Sequence, residues 1–220
     1  MTKILVAVKS CNAHLELGYH NVIRETWHKD FPAGTVKFFV GGGVGKNESD
    51  EVRLDCDDTY NGLPFKTKAI CMWAMGKAID YLFLCDTDSF LIPSKLLTCG
   101  FEGYDYAGKI DRPFGQTFPY ITVSREGATQ LHPKTYAWAS GGFGYFLSRK
   151  AFSTVAYSNP TGWAEDFFVG NLLGPMYNTG EITMLNIPGG TISEHFPAHL
   201  YNSGYDLKFG WMQEQYESTR

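Results

Sequence analysis

The sequence predicts an α/β fold, a mixed, mainly parallel sheet flanked by helices in a single domain. Three observations carry this. Short apolar runs recur through the first hundred residues, segments of helical period lie between them, and one apolar run stops abruptly in acid. Strands that alternate with helices form largely parallel sheets covered on both faces. A chain of 220 residues is long enough for one substantial core. No repeat, low-complexity tract or linker divides it.

Ile4–Val8 is a β-branched apolar run, the signature of a buried strand. Gly18–Trp27 has helical character. Lys37–Val40 predicts a second strand, stopped by Gly41, Gly42 and Gly43, and the acidic stretch Glu48–Asp58 is expected at the surface. Phe65–Asp80 is the clearest helix, with Ala69, Met72, Trp73, Gly76 and Ile79 at helical spacing between lysines. Tyr81–Cys85 predicts a strand and Pro93–Leu97 a helical turn. Residues 103–140 look irregular. Gly142–Ser148 predicts a strand because Phe143, Tyr145 and Leu147 alternate along it, and Glu165–Leu173 a short helix.

Composition narrows the functional classes. With 44% hydrophobic and 19% charged residues the chain reads as an ordinary soluble protein. A formal charge of −4 argues against broad binding to a nucleic-acid backbone, although a local basic patch is compatible with it. The 15% aromatic content suits a well-filled core, or flat faces on which sugar rings stack. Five cysteines without close pairing give neither a disulfide framework nor a zinc pattern, and point to a reducing compartment. Nothing reads as a signal peptide or a membrane span, so the expected location is the cytoplasm. Asn47–Glu48–Ser49 matches the glycosylation triplet, which matters only after secretion.

The chemistry is expected at Asp86–Thr87–Asp88, directly after Tyr81–Cys85. Ligands of parallel sheets bind outside the carboxyl ends of the strands. Two carboxylates held together there repel unless a cation neutralises them. Hard oxygen donors suit Mg²⁺ or Mn²⁺, with phosphate oxygens and water completing the shell. A short acidic pair in a turn is the plainer alternative.

Several segments, in order, resemble the β-1,3-galactosyltransferase and Fringe-like glycosyltransferase family. Val22-Ile23-Arg24-Glu25-Thr26-Trp27 is similar to its I-R-E-T-W signature, and Asp58–Thr67 to its D-x-Y-x-N-L-T-x-K-T segment. Leu84–Leu91 resembles its D-D-D metal motif, Ala139–Ser148 its S-G-x-G-Y-x-x-S motif, and Glu165–Gly170 its E-D-V-x-x-G motif. The resemblance spans roughly residues 4–200. It implies a GT-A fold, a nucleotide-sugar donor (a UDP-sugar), Mn²⁺ dependence and inverting transfer to an acceptor hydroxyl. Residues 1–100 would then form the nucleotide-binding half and 101–220 the acceptor and catalytic half. The sequence departs from the pattern at Thr87, in the middle of the acidic triplet, at His20, where the family often has Arg, and at Asn61-Gly62-Leu63-Pro64. The family's Golgi members carry a membrane anchor, so a trimmed lumenal domain is the alternative to a cytoplasmic protein.

The resemblance implies Asp166 as the catalytic base, Asp88 and a late histidine as metal ligands, and Asp86 at the metal, its bound water or the ribose. His195 is the expected histidine, with His199 competing if that stretch is helical. Donor contacts are expected from Ala7, Lys9 and Ser10 at the first strand end, from Arg24, Lys66 and Thr87, and from backbone at Gly141 and Gly142. Arg24 equally suits an intramolecular salt bridge, and Lys66 a solvated helix face. Trp138, Trp163, Phe167 and Tyr177 are candidates for stacking on a sugar or for the core. Glu165 is expected to bind acceptor hydroxyls or orient a loop. The acceptor class stays open among glycan, protein, lipid-linked sugar and hydroxylated nucleobase. The rival classes are a sugar-binding protein without turnover, a sugar-nucleotide hydrolase and a nucleotidyltransferase.

Overall fold

The computed structural model describes residues 2–43, 48–110, 112–123, 129–197 and 205–220. Asn47 and His199 lie outside them. The elements are, in chain order, β1 (Ile4–Lys9), α1 (Asn12–Glu16), α2 (Tyr19–Glu25), β2 (Val36–Val40), β3 (Glu51–Arg53), α3 (Leu63–Met75), β4 (Tyr81–Asp86), β5 (Ser89–Leu91) and α4 (Pro93–Leu96). There follow β6 (Tyr106–Gly108), β7 (Phe118–Val123), β8 (Thr129–Thr135), β9 (Tyr145–Ser148), α5 (Arg149–Ala156), α6 (Glu165–Asn178), β10 (Met184–Asn186), β11 (Ser193–His195) and α7 (Tyr205–Ser218).

Seven strands form one sheet in the order β10-β6-β9-β4-β1-β2-β3. β1, β2, β3 and β4 run parallel, as do β6 and β10, and β9 is antiparallel between β4 and β6. The mixed, mainly parallel sheet expected from the sequence is the one observed. Its centre is buried on both faces. Leu5, Ala7, Leu82 and Leu84 point into a core shared with α3, α5 and α6. Val6, Val8, Phe83 and Cys85 point to the opposite side, where Ile23, Trp27, Met212 and Tyr216 cover them. This explains why β1 and β4 read as unbroken apolar runs instead of alternating ones.

Several boundaries differ from expectation for local reasons. The helix expected over Phe65–Asp80 is α3, which ends at Met75 with Gly76 as its cap. The strand expected from Gly142 begins at Tyr145. Gly141–Phe143 is a 3₁₀ turn, and Gly144 has φ 74°, a conformation that leaves the strand path and suits only glycine. The acidic surface stretch holds β3, with Glu51 buried. The irregular region contains β6 and the β7–β8 hairpin. The helix expected to end at Leu173 runs on as α6 to Asn178. His195 lies in a strand paired with Ser89, not in a helix. No described helix is long and apolar enough to cross a membrane.

Helix α6 packs against the chain at Tyr136–Trp138 through two glycines. A Cβ at Gly170 would stand 2.3 Å from the Cβ of Trp138 and 2.9 Å from the Ala137 carbonyl oxygen, and one at Gly174 would stand 2.3 Å from the Cβ of Tyr136. In an open helix, replacing glycine by alanine gains about 1 kcal/mol. Here the blocking atoms are main chain or attached directly to it, and they cannot rotate away. Gly170→Ala is therefore expected to destabilise the protein by about 1–3 kcal/mol, read as a lowered midpoint in thermal or urea unfolding.

Candidate active site

β1 and β4 pair with Lys9 opposite Asp86, so both strands end at one level. A cavity of about 500 Å³ opens there. Lys9, Ser10, Asp86, Thr87 and Asp88 line it from the strand ends, and Lys66 of α3 borders it too. Gly141, Gly142, Glu165, Asp166 and His195 line it from the second half of the chain.

Lys9 organises the floor. Its side chain is fully buried. The ammonium group stands 3.2 Å from Asp86 Oδ1 and donates to Glu165 Oε1. Burial alone would lower its pKa, but Asp86, Glu165 and Asp166 together hold it well above the usual lysine range. Glu165 Oε2 also accepts from Tyr145 Oη at 2.5 Å and from Thr67 Oγ1 at 3.4 Å. Three of the four acceptor positions of the Glu165 carboxylate are thus taken by the protein, which favours the orienting role expected for it. It ties the start of α6 to the end of β1.

Asp166, the next residue, stands at the first turn of α6, where a negative charge is favoured by the helix dipole. Its Oδ2 accepts from the Gly141 N–H at 3.2 Å and its Oδ1 from the Phe167 N–H at 2.8 Å. Burial and the neighbouring Glu165 raise its pKa above the ordinary carboxylate value.

Gly141 and Gly142 are fixed by space. A Cβ on Gly141 would meet Glu165 Oε1 at 2.7 Å, and one on Gly142 would meet the His195 ring at 2.4 Å. The Gly142 carbonyl accepts from Ser89 Oγ at 2.8 Å, tying the turn to β5. The two glycines therefore let the α6 carboxylates and the β11 imidazole close on the same turn from opposite sides.

His195 Nε2 lies 3.7 Å from Asp88 Oδ1, both partly exposed to the cavity. Among the described residues no group of three or more His, Cys, Asp or Glu side chains gathers closely enough to hold a metal. Of the expected set, Asp88 and His195 face each other, while Asp86 lines the same cavity with its Oδ1 3.2 Å from Lys9 Nζ. For Mg²⁺ or Mn²⁺ this donor set still fits. Such ions are commonly held by one or two protein groups, with substrate phosphates and water in the other positions.

The other candidates divide between the cavity wall and positions away from it. Ala7 is wholly buried in the sheet core and does not line the cavity. The Arg24 guanidinium grips both oxygens of Asp50 at 2.7 and 2.9 Å and Glu51 at 2.9 Å, the salt-bridge alternative. Lys66 is buried, donating to the Ser10 carbonyl and to Asp58 at 2.6 Å, not solvated. Thr87 is buried with its hydroxyl 2.7 Å from His14 Nδ1. Trp138 packs on Tyr120 and Phe167 and lines neither cavity, and Tyr177 packs on Phe114. Trp163 lines the main cavity and also a second one of about 340 Å³, which Phe167, His132, Asn159 and Asn171 border.

Sequence reading missed His14, Cys11 and Asp58 as cavity residues. Asp58 begins the D-x-Y segment, so its position was signalled there. His14 and Cys11 lie in no such pattern.

No curated protein sequence matches the chain. Among solved structures, a glycosyltransferase involved in the glycosylation of the major capsid of PBCV-1 superposes with a TM-score of 0.50 at 11% identity, over 96% of this chain and 99% of that one. The inositol-1-phosphate CTP transferase from T. maritima superposes with a TM-score of 0.49 at 12% identity, over 97% of each chain. At such identity the first likeness concerns the fold, which is the GT-A arrangement. A family model described as galactosyltransferase matches residues 20–177. Because that match runs from α2 to the last turn of α6 and takes in most of the elements that line the cavity, the chain belongs to the galactosyltransferase family and is a hexosyl-transferring enzyme.

Proposed function

We propose that the chain transfers a hexose from a nucleoside diphosphate sugar, a UDP-sugar, to an acceptor hydroxyl with inversion at the anomeric carbon. The observation that carries this is the convergence of Asp88, His195 and Asp166 on one cavity at the ends of parallel strands. Asp88 and His195 would hold a divalent cation, Mn²⁺ or Mg²⁺. When bound it supplies positive charge against the departing diphosphate. Asp166 takes the proton of the acceptor hydroxyl as its oxygen attacks from the face opposite the leaving group. The Gly141 N–H and the N-terminal turn of α6 orient its carboxylate. Glu165 and Lys9 fix that turn against the strand ends, so the base keeps its place when the cavity fills.

The acceptor enters beside Trp163, whose ring is shared between the main cavity and the neighbouring one. An aromatic wall of Trp163, Phe167 and His132 with amides at Asn159 and Asn171 suits a sugar, whose apolar C–H face stacks while its hydroxyls bond at the rim.

Asp166→Asn removes the proton acceptor and keeps the shape. Its kcat is expected to fall by about 10²–10⁴, with donor affinity measured by calorimetry largely retained. Full activity in this variant would sink the assignment. The pH profile adds a second check. Asp166 must be ionised to act, and its pKa is raised by burial and by Glu165. Activity is therefore expected to fall on the acidic side at a higher pH than an ordinary carboxylate would give, and this limb should vanish from the residual rate of Asp166→Asn. Asp88→Asn is expected to weaken Mn²⁺ binding, followed by calorimetry or Mn²⁺ paramagnetic resonance, by about tenfold or more.

A further inference from the structure

We propose that Ser10, held as a hydrogen-bond acceptor by a buried chain of Ser10, His20 and Glu51, reads the ring N–H of a uracil-type base in the cavity. The inference rests on the nucleotide-sugar reading above and goes beyond it by naming what selects the base. His20 is one of the positions at which the sequence departs from the pattern it resembles, and its ring has no part in the transfer chemistry proposed above.

The direction of each hydrogen bond follows from its partner. Glu51 Oε1 lies 2.9 Å from His20 Nδ1 and also accepts from Arg24 Nη2 at 2.9 Å. Burial would raise the pKa of Glu51, but these two donors hold it below the usual range. An ionised carboxylate only accepts, so Nδ1 carries the proton. Burial lowers the pKa of the His20 ring, which is therefore neutral near pH 7, and Nε2 has only a lone pair to offer. Ser10 Oγ stands 2.7 Å from Nε2 and must donate its one proton there. The ring is locked in plane by stacking on Phe38, with centroids 4.1 Å apart and planes inclined by 17°.

What Ser10 has left is lone pairs, and it lines the cavity. Its neighbours are already committed. Asp58 accepts from Gly41 N and Lys66 Nζ on one oxygen and from Asn12 N and Asn12 Nδ2 on the other, which fills its four positions. The Ser10 carbonyl accepts from Lys66. A hydroxyl on a ligand can turn to suit either kind of partner, so a fixed acceptor would give it no selectivity. A base can be told apart in this way. Uracil presents an N–H at ring position 3, where cytosine presents a lone pair that would face the lone pairs of Ser10.

The test is calorimetric titration of the full chain with UDP and with CDP in the presence of Mn²⁺. The wild type is expected to prefer UDP by about tenfold or more, the scale of a buried group left unpaired. Ser10→Ala is expected to bring the two nucleotides within about threefold, by loss of the same interaction. His20→Phe keeps a ring against Phe38 but removes Nε2, and the preference is expected to collapse likewise. His20→Gln, whose amide accepts from Ser10 and donates to Glu51, is expected to restore it. Equal affinity of the wild type for both nucleotides, or an undiminished UDP preference in Ser10→Ala, would overturn the inference while leaving the donor reading standing. Failure of both nucleotides to bind the wild type would overturn the donor reading and this inference with it. If His20→Phe does not fold, the Ser10→Ala comparison decides alone.

Discussion

The buried ammonium group of Lys9 sets the geometry of the site. Lys9 ends β1 with no exposed side-chain surface, pinned between Asp86 on the neighbouring central strand β4 and Glu165 at the start of α6. Removing an ammonium from water costs several kcal/mol, and only close carboxylates offset it. The pairing therefore has to be satisfied in the folded state. It joins the two halves of the chain at the one level where both strands end, across 156 residues of sequence. The Glu165–Asp166 pair is divided by it. The first carboxylate turns inward and is consumed by Lys9, Tyr145 and Thr67, and the second is left on the cavity wall.

The same constraint separates the acidic triplet into different tasks. Asp86 is drawn to Lys9, Thr87 is buried against His14, and Asp88 stands near His195. Asp86 ends β4 and Thr87 and Asp88 form the turn after it, so three consecutive side chains cannot all face one point, and the protein uses each direction. Burial raises the pKa of Asp86 to about 6 even against the pull of Lys9, with Asp88 pushing the same way. Two carboxylates so close to each other are tolerated because a resident cation already stands on one side.

Steric room is the second requirement. Gly141 and Gly142 bring Glu165 and His195 within a distance that any side chain on the turn would block, and Gly170 and Gly174 seat α6 directly on the 136–138 segment. The carboxylate proposed as base thus rides on a helix whose position is fixed by backbone contact along its length and by an ion pair at its tip. A loop in the same place would leave the proton acceptor free to wander by more than catalysis tolerates.

Much of this was legible in the chain itself. The apolar runs of β1, β2 and β4 and their helical spacers specify the parallel half of the sheet, because strands buried on both faces need continuous hydrophobicity. The acids after Cys85 mark the strand end, and the ordered motifs mark the family. The local elements that were missed share a cause. β3 is short and acidic, β6 has three residues, and the Gly144 break lies inside an alternating pattern, so periodicity carries little signal there. What only the tertiary structure decided was the partner of each charge. Lys9, Lys66, Arg24 and Glu165 have the composition of ligand-binding groups. Whether a charged side chain meets a substrate or another side chain depends on which residues distant in sequence arrive within about 3 Å of it, and local sequence patterns do not encode that distance.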